Sequence, residues 1–162
     1  FKPNKEVELC NINDVVTEVL AIIGPSLTNN NILLQRELHA QTALYTFPKE
    51  LVQVGINFIK NAKEALVEAR TNEPCIIIIT DEDEHHVYLR VCDNGPGISS
   101  EIIARIFEPY FTTKNEKEGT GLGLYMCKTI VEKHLLGKIG IKSSETGTCF
   151  EVVLPKIRPD KQ

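Results

Sequence analysis

The sequence predicts an α/β two-layer sandwich: a mixed, mainly antiparallel sheet with helices packed on one face. Three observations predict it. Helical and strand-like periodicities are intermixed along the chain. Two pairs of neighbouring strand-like segments are joined by short turns, which makes hairpins rather than βαβ crossovers and disfavours a doubly wound parallel sheet. The 162 residues are enough for one real core and too few for two. One domain is expected over 1–162, with its core over about 7–155 and a frayed tail over 156–162.

Val7 to Cys10 forms a short strand candidate. Asn11 or Asn13 then caps a helix to about Ile23, with Val15, Val19, Ile22 and Ile23 at helical spacing. Gly24 and Pro25 are expected to stop or bend it. After the Asn29-Asn30-Asn31 turn come strands over Ile32 to Leu38 and Ala43 to Phe47. Pro48 opens the clearest helix, to about Arg70, with Leu51, Val54, Phe58, Ala62, Ala65 and Ala69 on one stripe. Cys75 to Thr80 is an apolar run, as expected of a strand covered on both faces. Val87 to Cys92 alternates. The acidic stretch Asp81 to Glu84 between them reads as a solvated turn. Ser99 or Ser100 caps a short helix over Glu101 to Ile106. A helix from about Leu122 to Leu135 carries Leu124, Cys127, Val131 and Leu135 on one face. Strands over Lys138 to Ser143 and Thr148 to Leu154 close the fold.

Acidic residues exceed basic ones, 22 to 18, and the formal net charge is −4, which argues against nonspecific binding to nucleic acid or an acidic membrane surface. No apolar run approaches the roughly 20 residues of a membrane span. Five cysteines without a CxxC pair read as reduced, mostly buried thiols of a cytoplasmic protein, ahead of a zinc site or a reactive thiol. The chain begins at Phe1 and its one methionine is Met126, so it reads as a piece of something longer.

Four separated segments share one chemical character. Asn57 and Asn61 lie one helical turn apart beside the apolar stripe. Asn is a poor helix former, and an amide oxygen is a hard donor of the kind Mg²⁺ takes along with waters and phosphates. The alternative is that they merely cap or solvate the helix. Asp93-Asn94-Gly95-Pro96-Gly97 follows an apolar strand. Beyond serving as a plain turn, it offers a carboxylate that accepts from an exocyclic amine such as adenine's and rejects guanine's carbonyl. Gly119-Thr120-Gly121-Leu122-Gly123-Leu124 brings glycine amides to a helix start, an anion site. Thr148, after Gly147, is the fourth. No GxxxxGK[ST] stretch exists, and glycines 119, 121 and 123 have the wrong spacing for GxGxxG.

Taken in order, these segments make the sequence resemble the catalytic ATP-binding domain of sensor histidine kinases, in the superfamily shared with DNA gyrase, the ninety-kilodalton heat-shock chaperones and the mismatch-repair ATPases. Gln53 to Leu66 resembles the N box, Asp93 to Gly97 the G1 box and Ile106 to Lys114 the F box. Gly119 to Leu124 resembles the G2 box and Glu145 to Phe150 the final glycine box. The likeness runs from about Val7 to Pro155. It implies the Bergerat ATP-binding fold and the cofactors ATP and Mg²⁺. By the same resemblance, Asn61 binds the metal and Asn57 stands one turn before it. Asp93 reads adenine, and Gly95, Gly97 and Ile98 shape the base pocket. Lys114 reaches the terminal phosphates, and Gly119, Thr120, Gly121, Leu122, Gly123 and Leu124 wrap them. Thr148 supports the adenine subsite, and Phe107 and Phe111 anchor a lid.

The resemblance also implies phosphoryl transfer to a histidine on a helical dimerisation domain of the same protein, and relay to a response regulator receiver domain. His39, His85, His86 and His134 lack the acceptor's setting, so the acceptor is expected outside this chain, which alone would not autophosphorylate. Asn57 stands where ATP-hydrolysing branches carry a Glu base, and an amide cannot take water's proton. A serine-directed relative or a nucleotide-sensing module are the alternatives. Glu64 stands where many relatives carry Lys, leaving Lys60, Lys63 or Lys114 to supply the charge. Leu135-Leu136 interrupts a turn that many relatives build from glycines. The chain alone is expected to be monomeric and to make no membrane contact; the full-length protein is expected to be a homodimer, with or without a membrane anchor.

Overall fold

The computed structural model describes residues 6–112 and 123–161. In chain order the elements are β1 (Glu8–Cys10), α1 (Ile12–Asn29), β2 (Leu33–Leu38), β3 (Leu44–Thr46), α2 (Pro48–Glu68), β4 (Cys75–Glu82), β5 (His86–Asp93), α3 (Ser100–Ile103), α4 (Gly123–Thr129), β6 (Lys138–Ser144) and β7 (Gly147–Pro155). A π turn over Ile130–His134 extends α4, and a short 3-10 turn over Pro159–Lys161 follows β7.

Five strands form one sheet in the order β2-β4-β5-β7-β6. Only β2 and β4 run parallel; the other pairs are antiparallel. β1 and β3 form a separate two-stranded ribbon. Alternation decides which face is covered. Ile76, Ile78, Val87, Leu89, Val91, Phe150, Val152 and Leu154 are buried toward α1 and α2. The intervening residues of β4, β5 and β7 lie on the opposite face, which no described helix covers. This is the sandwich the sequence predicts.

α1 is capped by Asn11, whose side-chain oxygen accepts from the Asn13 N–H at 2.8 Å. It does not stop at Gly24-Pro25 but runs on to Asn29. Proline removes one helical hydrogen bond. Leu27, 1% exposed just beyond it, shows what opposes that loss: a further buried anchor on the same helix. α2 opens on Pro48 without a side-chain cap. Its buried side includes Leu51, Val54, Phe58, Ile59, Ala62 and Leu66, whereas Ala65 is half-buried and Ala69 exposed. Phe58 stacks on Phe150 with ring centroids 5.1 Å apart, which clamps the middle of α2 onto β7. The polar centre of the core is satisfied: the Thr80 hydroxyl donates to the Asn13 side chain at 2.6 Å, and Asn13 donates to the Ala40 carbonyl.

Four further expectations are corrected. β4 is covered on one face only; Ile77 and Ile79 sit half-buried on the open side, so an unbroken apolar run did not mean two covered faces. The acidic stretch is no free turn. β4 extends through Glu82, whose carboxylate accepts from the backbone N–H groups of Gln41 and Thr42, the Thr42 hydroxyl and Lys156. These bonds hold it well below its usual range, at about 2. The tail is not wholly frayed, because Arg158 is buried with its guanidinium over the Phe47 ring. Finally, Cys92 and Cys149 face each other across β5 and β7 and are joined in a disulfide. Their separation of 57 residues hid this register from the sequence. Cys10, Cys75 and Cys127 remain free thiols.

Candidate functional site

β5 ends on the core side of the sheet at Asp93, directly opposite Thr148 at the start of β7. One Asp93 carboxylate oxygen accepts from the Gly95 N–H at 2.8 Å, and the Thr148 N–H also donates to the carboxylate. Burial outweighs these bonds and raises the carboxyl above its ordinary 3.8. Asp93 is thus a partly desolvated acceptor whose placement is set by two backbone donors. Asn94 serves a different purpose. Its amide bridges the Cys75 N–H and the Glu73 carbonyl and pins the loop to the start of β4.

The glycines beside Asp93 are required by close approaches. Gly97 has φ +82°, and a Cβ there would stand 1.8 Å from the Ser144 carbonyl oxygen. Gly147 has φ +149°, and its Cβ would stand 2.0 Å from the Asp93 carbonyl oxygen. The loop after β5 and the β6–β7 hairpin therefore interlock. Ser143 completes the joint. Its hydroxyl accepts from the Ile98 N–H at 2.7 Å and lies 2.8 Å from the buried Thr148 hydroxyl. The sequence reading missed Ser143. Only pairing β6 to β7 brings it to Thr148, and a serine at a strand end carries no signal of its own.

On the facing helix, the Asn57 amide donates to the Gln53 carbonyl at 3.1 Å, and the Asn61 amide donates to the Asn57 carbonyl at 2.9 Å. Each NH₂ group is engaged by the helix backbone one turn back. The oxygen is the end of an amide that coordinates a cation, and amide oxygen is a donor that Mg²⁺ accepts. The donor set fits that ion with waters and phosphates as its other ligands. Among the described residues no cluster of three His, Cys, Asp or Glu forms an all-protein metal cage. The Asn57 oxygen faces the start of α4, 3.1 Å from where a Cβ on Gly123 would be. Leu66, farther along α2, touches the Gly95 position at 3.5 Å. α2 thus spans from the α4 start to the loop after Asp93.

Gly123 and Leu124 open α4, and Leu124 packs against the core. The π turn behind it is fixed by the Leu135 N–H donating to the Ile130 carbonyl at 2.9 Å. His134 at its end lies 2.9 Å from the buried Glu50 of α2. Leu136 takes the left-handed backbone, with φ 57°. Lys114, Gly119, Thr120, Gly121 and Leu122 lie outside the described residues. Of the other candidate lysines, Lys63 donates to the Ser26 hydroxyl of α1 at 2.5 Å and Lys60 is exposed. Phe107 and Phe111 are half-buried; the Arg105 guanidinium stacks on Phe111 and the Lys128 ammonium lies 6.0 Å from the Phe107 ring centre.

Residues 46–158 match the family model described as histidine kinase-, DNA gyrase B-, and HSP90-like ATPase. The chain belongs to this ATPase family. Its domain is 37% identical over 156 residues to Sporulation kinase A of Bacillus subtilis (strain 168), covering 94% of this chain and 24% of that protein. It is 33% identical over 150 residues to Sensor protein TdiS of Thauera aromatica, covering 90% of this chain and 27% of that one. Among solved structures it resembles the catalytic domain of histidine kinase ThkA, with a TM-score of 0.83 and 31% identity over 98% of this chain and 100% of that one. A structure of ThkA in complex with the response regulator protein TrrA matches with a TM-score of 0.80 and 28% identity over 96% of this chain and 43% of that one. The chain thus spans about a quarter of the length of the curated relatives it matches, and it is a histidine kinase-type catalytic ATPase domain in sequence and fold. No helix of the described residues is long and apolar enough to cross a membrane.

Proposed function

We propose that this domain binds MgATP between α2, α4, the loop after β5 and the β6–β7 hairpin, and donates the γ-phosphoryl group to a histidine on a helical dimerisation domain of the same protein. From there the group passes to a response regulator receiver domain. One observation carries the reading: α2, with its two amides, is stacked through Phe58 on Phe150 of β7, and β7 with β5 supplies Thr148 and Asp93. That packing ties a carboxylate acceptor for a purine amine and two hard amide donors into one packed unit, which supports a single nucleotide site.

In this reading Asp93 accepts from the adenine amine, Gly95, Gly97 and Ile98 form the wall of the base pocket, and Thr148 supports its floor. Asn61 holds the metal, with Asn57 beside it. Gly123, Leu124 and the preceding Gly119, Thr120, Gly121 and Leu122 wrap the phosphates, and Lys114 reaches the terminal one. Mg²⁺, when bound, neutralises phosphate charge. Asn57 has no basic lone pair able to deprotonate water, so hydrolysis is slow and positioning dominates. The protein works in the cytoplasm, and the full-length form is a homodimer.

The test adds the separately expressed helical domain to this chain with γ-labelled ATP and Mg²⁺. Label in an acid-labile, base-stable bond on the helical partner supports the reading. Tight ATP binding with label on a serine, or with no transfer at all, overturns the phosphotransfer part.

A further inference from the structure

Three of the five cysteines share the open face of the sheet, away from α1 and α2. Cys75 opens β4, Cys92 sits near the end of β5, and Cys149 is the second residue of β7. Each is half-buried, whereas Cys10 and Cys127 are buried in the core. Cys92 and Cys149 are directly paired, with Cα atoms 4.0 Å apart and their sulfurs bonded. Side chains alternate along a strand, so the neighbours of this pair point the other way. Those neighbours are Asp93 and Thr148, the next register pair and the two groups that build the base end of the cleft. A covalent link on one side of the sheet therefore fixes the spacing of the two backbones that hold Asp93 and Thr148 on the other.

We propose that Cys92 and Cys149 form a reversible thiol–disulfide exchange site whose oxidant is a low-molecular-weight disulfide, and that its state tunes nucleotide affinity. This rests on the nucleotide reading above. The chemistry balances with such an oxidant. A thiolate of the pair, its proton released, attacks one sulfur of the small disulfide and expels a thiolate. The resulting mixed disulfide is then attacked by the second protein thiolate. The Cys92–Cys149 bond forms and a second small thiolate leaves. The two protons end on the two small thiols. The protein pair is oxidised by two electrons and the small disulfide is reduced by two.

The direction follows from preorganisation. With the strands joined, Asp93 already has its Gly95 and Thr148 backbone donors. Reduction leaves the start of β7 held by noncovalent contacts alone: its hydrogen bonds, the Ser143 contacts and the packing of Gly147 and Phe150. More freedom there must then be lost on binding.

The experiment uses the whole chain, reduced with dithiothreitol or oxidised with glutathione disulfide, each freed of reagent. Native thiols are counted with a chromogenic disulfide. About one reactive thiol is expected when oxidised, Cys75, and about three when reduced, because burial pushes the Cys10 and Cys127 thiols up to about 11 and about 12 and removes their thiolates. ATP affinity, by calorimetry, is expected to be on the order of five-fold tighter in the oxidised form. Cys92→Ser and Cys149→Ser should each abolish the difference, and Cys75→Ser should retain it. Three reactive thiols after glutathione disulfide, equal ATP affinity in the two states, or a difference that survives Cys92→Ser would each overturn the inference. Failure of both states to bind ATP would instead overturn the nucleotide reading, and the coupling with it, while the thiol count would still report on the exchange site itself.

Discussion

Asp93 and Asn61 are held in place by different means. Asp93 stands at a strand end and is fixed both locally, by Gly95 two residues on, and by a distant part of the chain, with Thr148 across the ladder and Gly147 packed on its carbonyl. Asn61 sits in mid-helix and donates its amide to its own helix, one turn back. In the proposed nucleotide site, the base end thus draws on the whole sheet, whereas the metal end sits along one helix. Damage at the base end should spread into stability, while damage at the amide end should stay chemical.

The largest effect is expected from Asp93→Asn. The Gly95 bond survives on the amide oxygen, but a donor now meets the purine amine. ATP affinity should fall on the order of 100-fold or more in calorimetry. Gly147→Ala breaks the same end through the backbone. A Cβ 2.0 Å from a carbonyl oxygen forces the hairpin away, so urea unfolding should show a loss of about 1–3 kcal/mol together with lost ATP binding. Asn61→Ala tests the contrast directly. It should remove most of the Mg²⁺ dependence of ATP binding, about 10-fold, and leave the urea midpoint almost unchanged. A large loss of stability in Asn61→Ala would erase the distinction between the two ends. Ser143→Ala should weaken ATP binding by about five-fold through the freed Ile98 N–H, with partial recovery in Ser143→Thr.

The smallest effect is in pH. Burial holds Asp93 above its ordinary 3.8, so the protonated form is favoured by folding. Its contribution to stability is fully present below that value and is lost as pH rises through the folded value. Relative to the nucleotide-free Asp93→Asn variant, which cannot ionise, the parent should gain melting temperature on acidification through the carboxylate range.

Much of this was legible in the sequence because local chemistry and final position agreed. Pro48 opened α2, Asn11 capped α1, Ser99 capped α3, and the alternation of Val87, Leu89 and Val91 marked a one-sided strand. Asn57 and Asn61 stood out because mid-helix asparagines are costly. What failed to show was set by partners far away in sequence. Leu27 found burial beyond Pro25, Glu82 found Gln41, Thr42 and Lys156, and Arg158 found Phe47. Cys92 met Cys149 only through the register of β5 on β7. The same holds for Ser143. Sequence periodicity reports which face a residue takes, and not which residue it will face.

The order of strands sets a rule for synthesis. β5 lies between β4, its neighbour in sequence, and β7, which leaves the ribosome more than fifty residues later. Until β7 docks, Asp93 lacks its Thr148 donor, Ile98 lacks the Ser143–Thr148 pair, and Phe58 has no Phe150 to stack on. A nascent chain can therefore form α1, α2 and the β4–β5 hairpin early and still be unable to hold a nucleotide. The proposed nucleotide site is completed only when the last strand arrives.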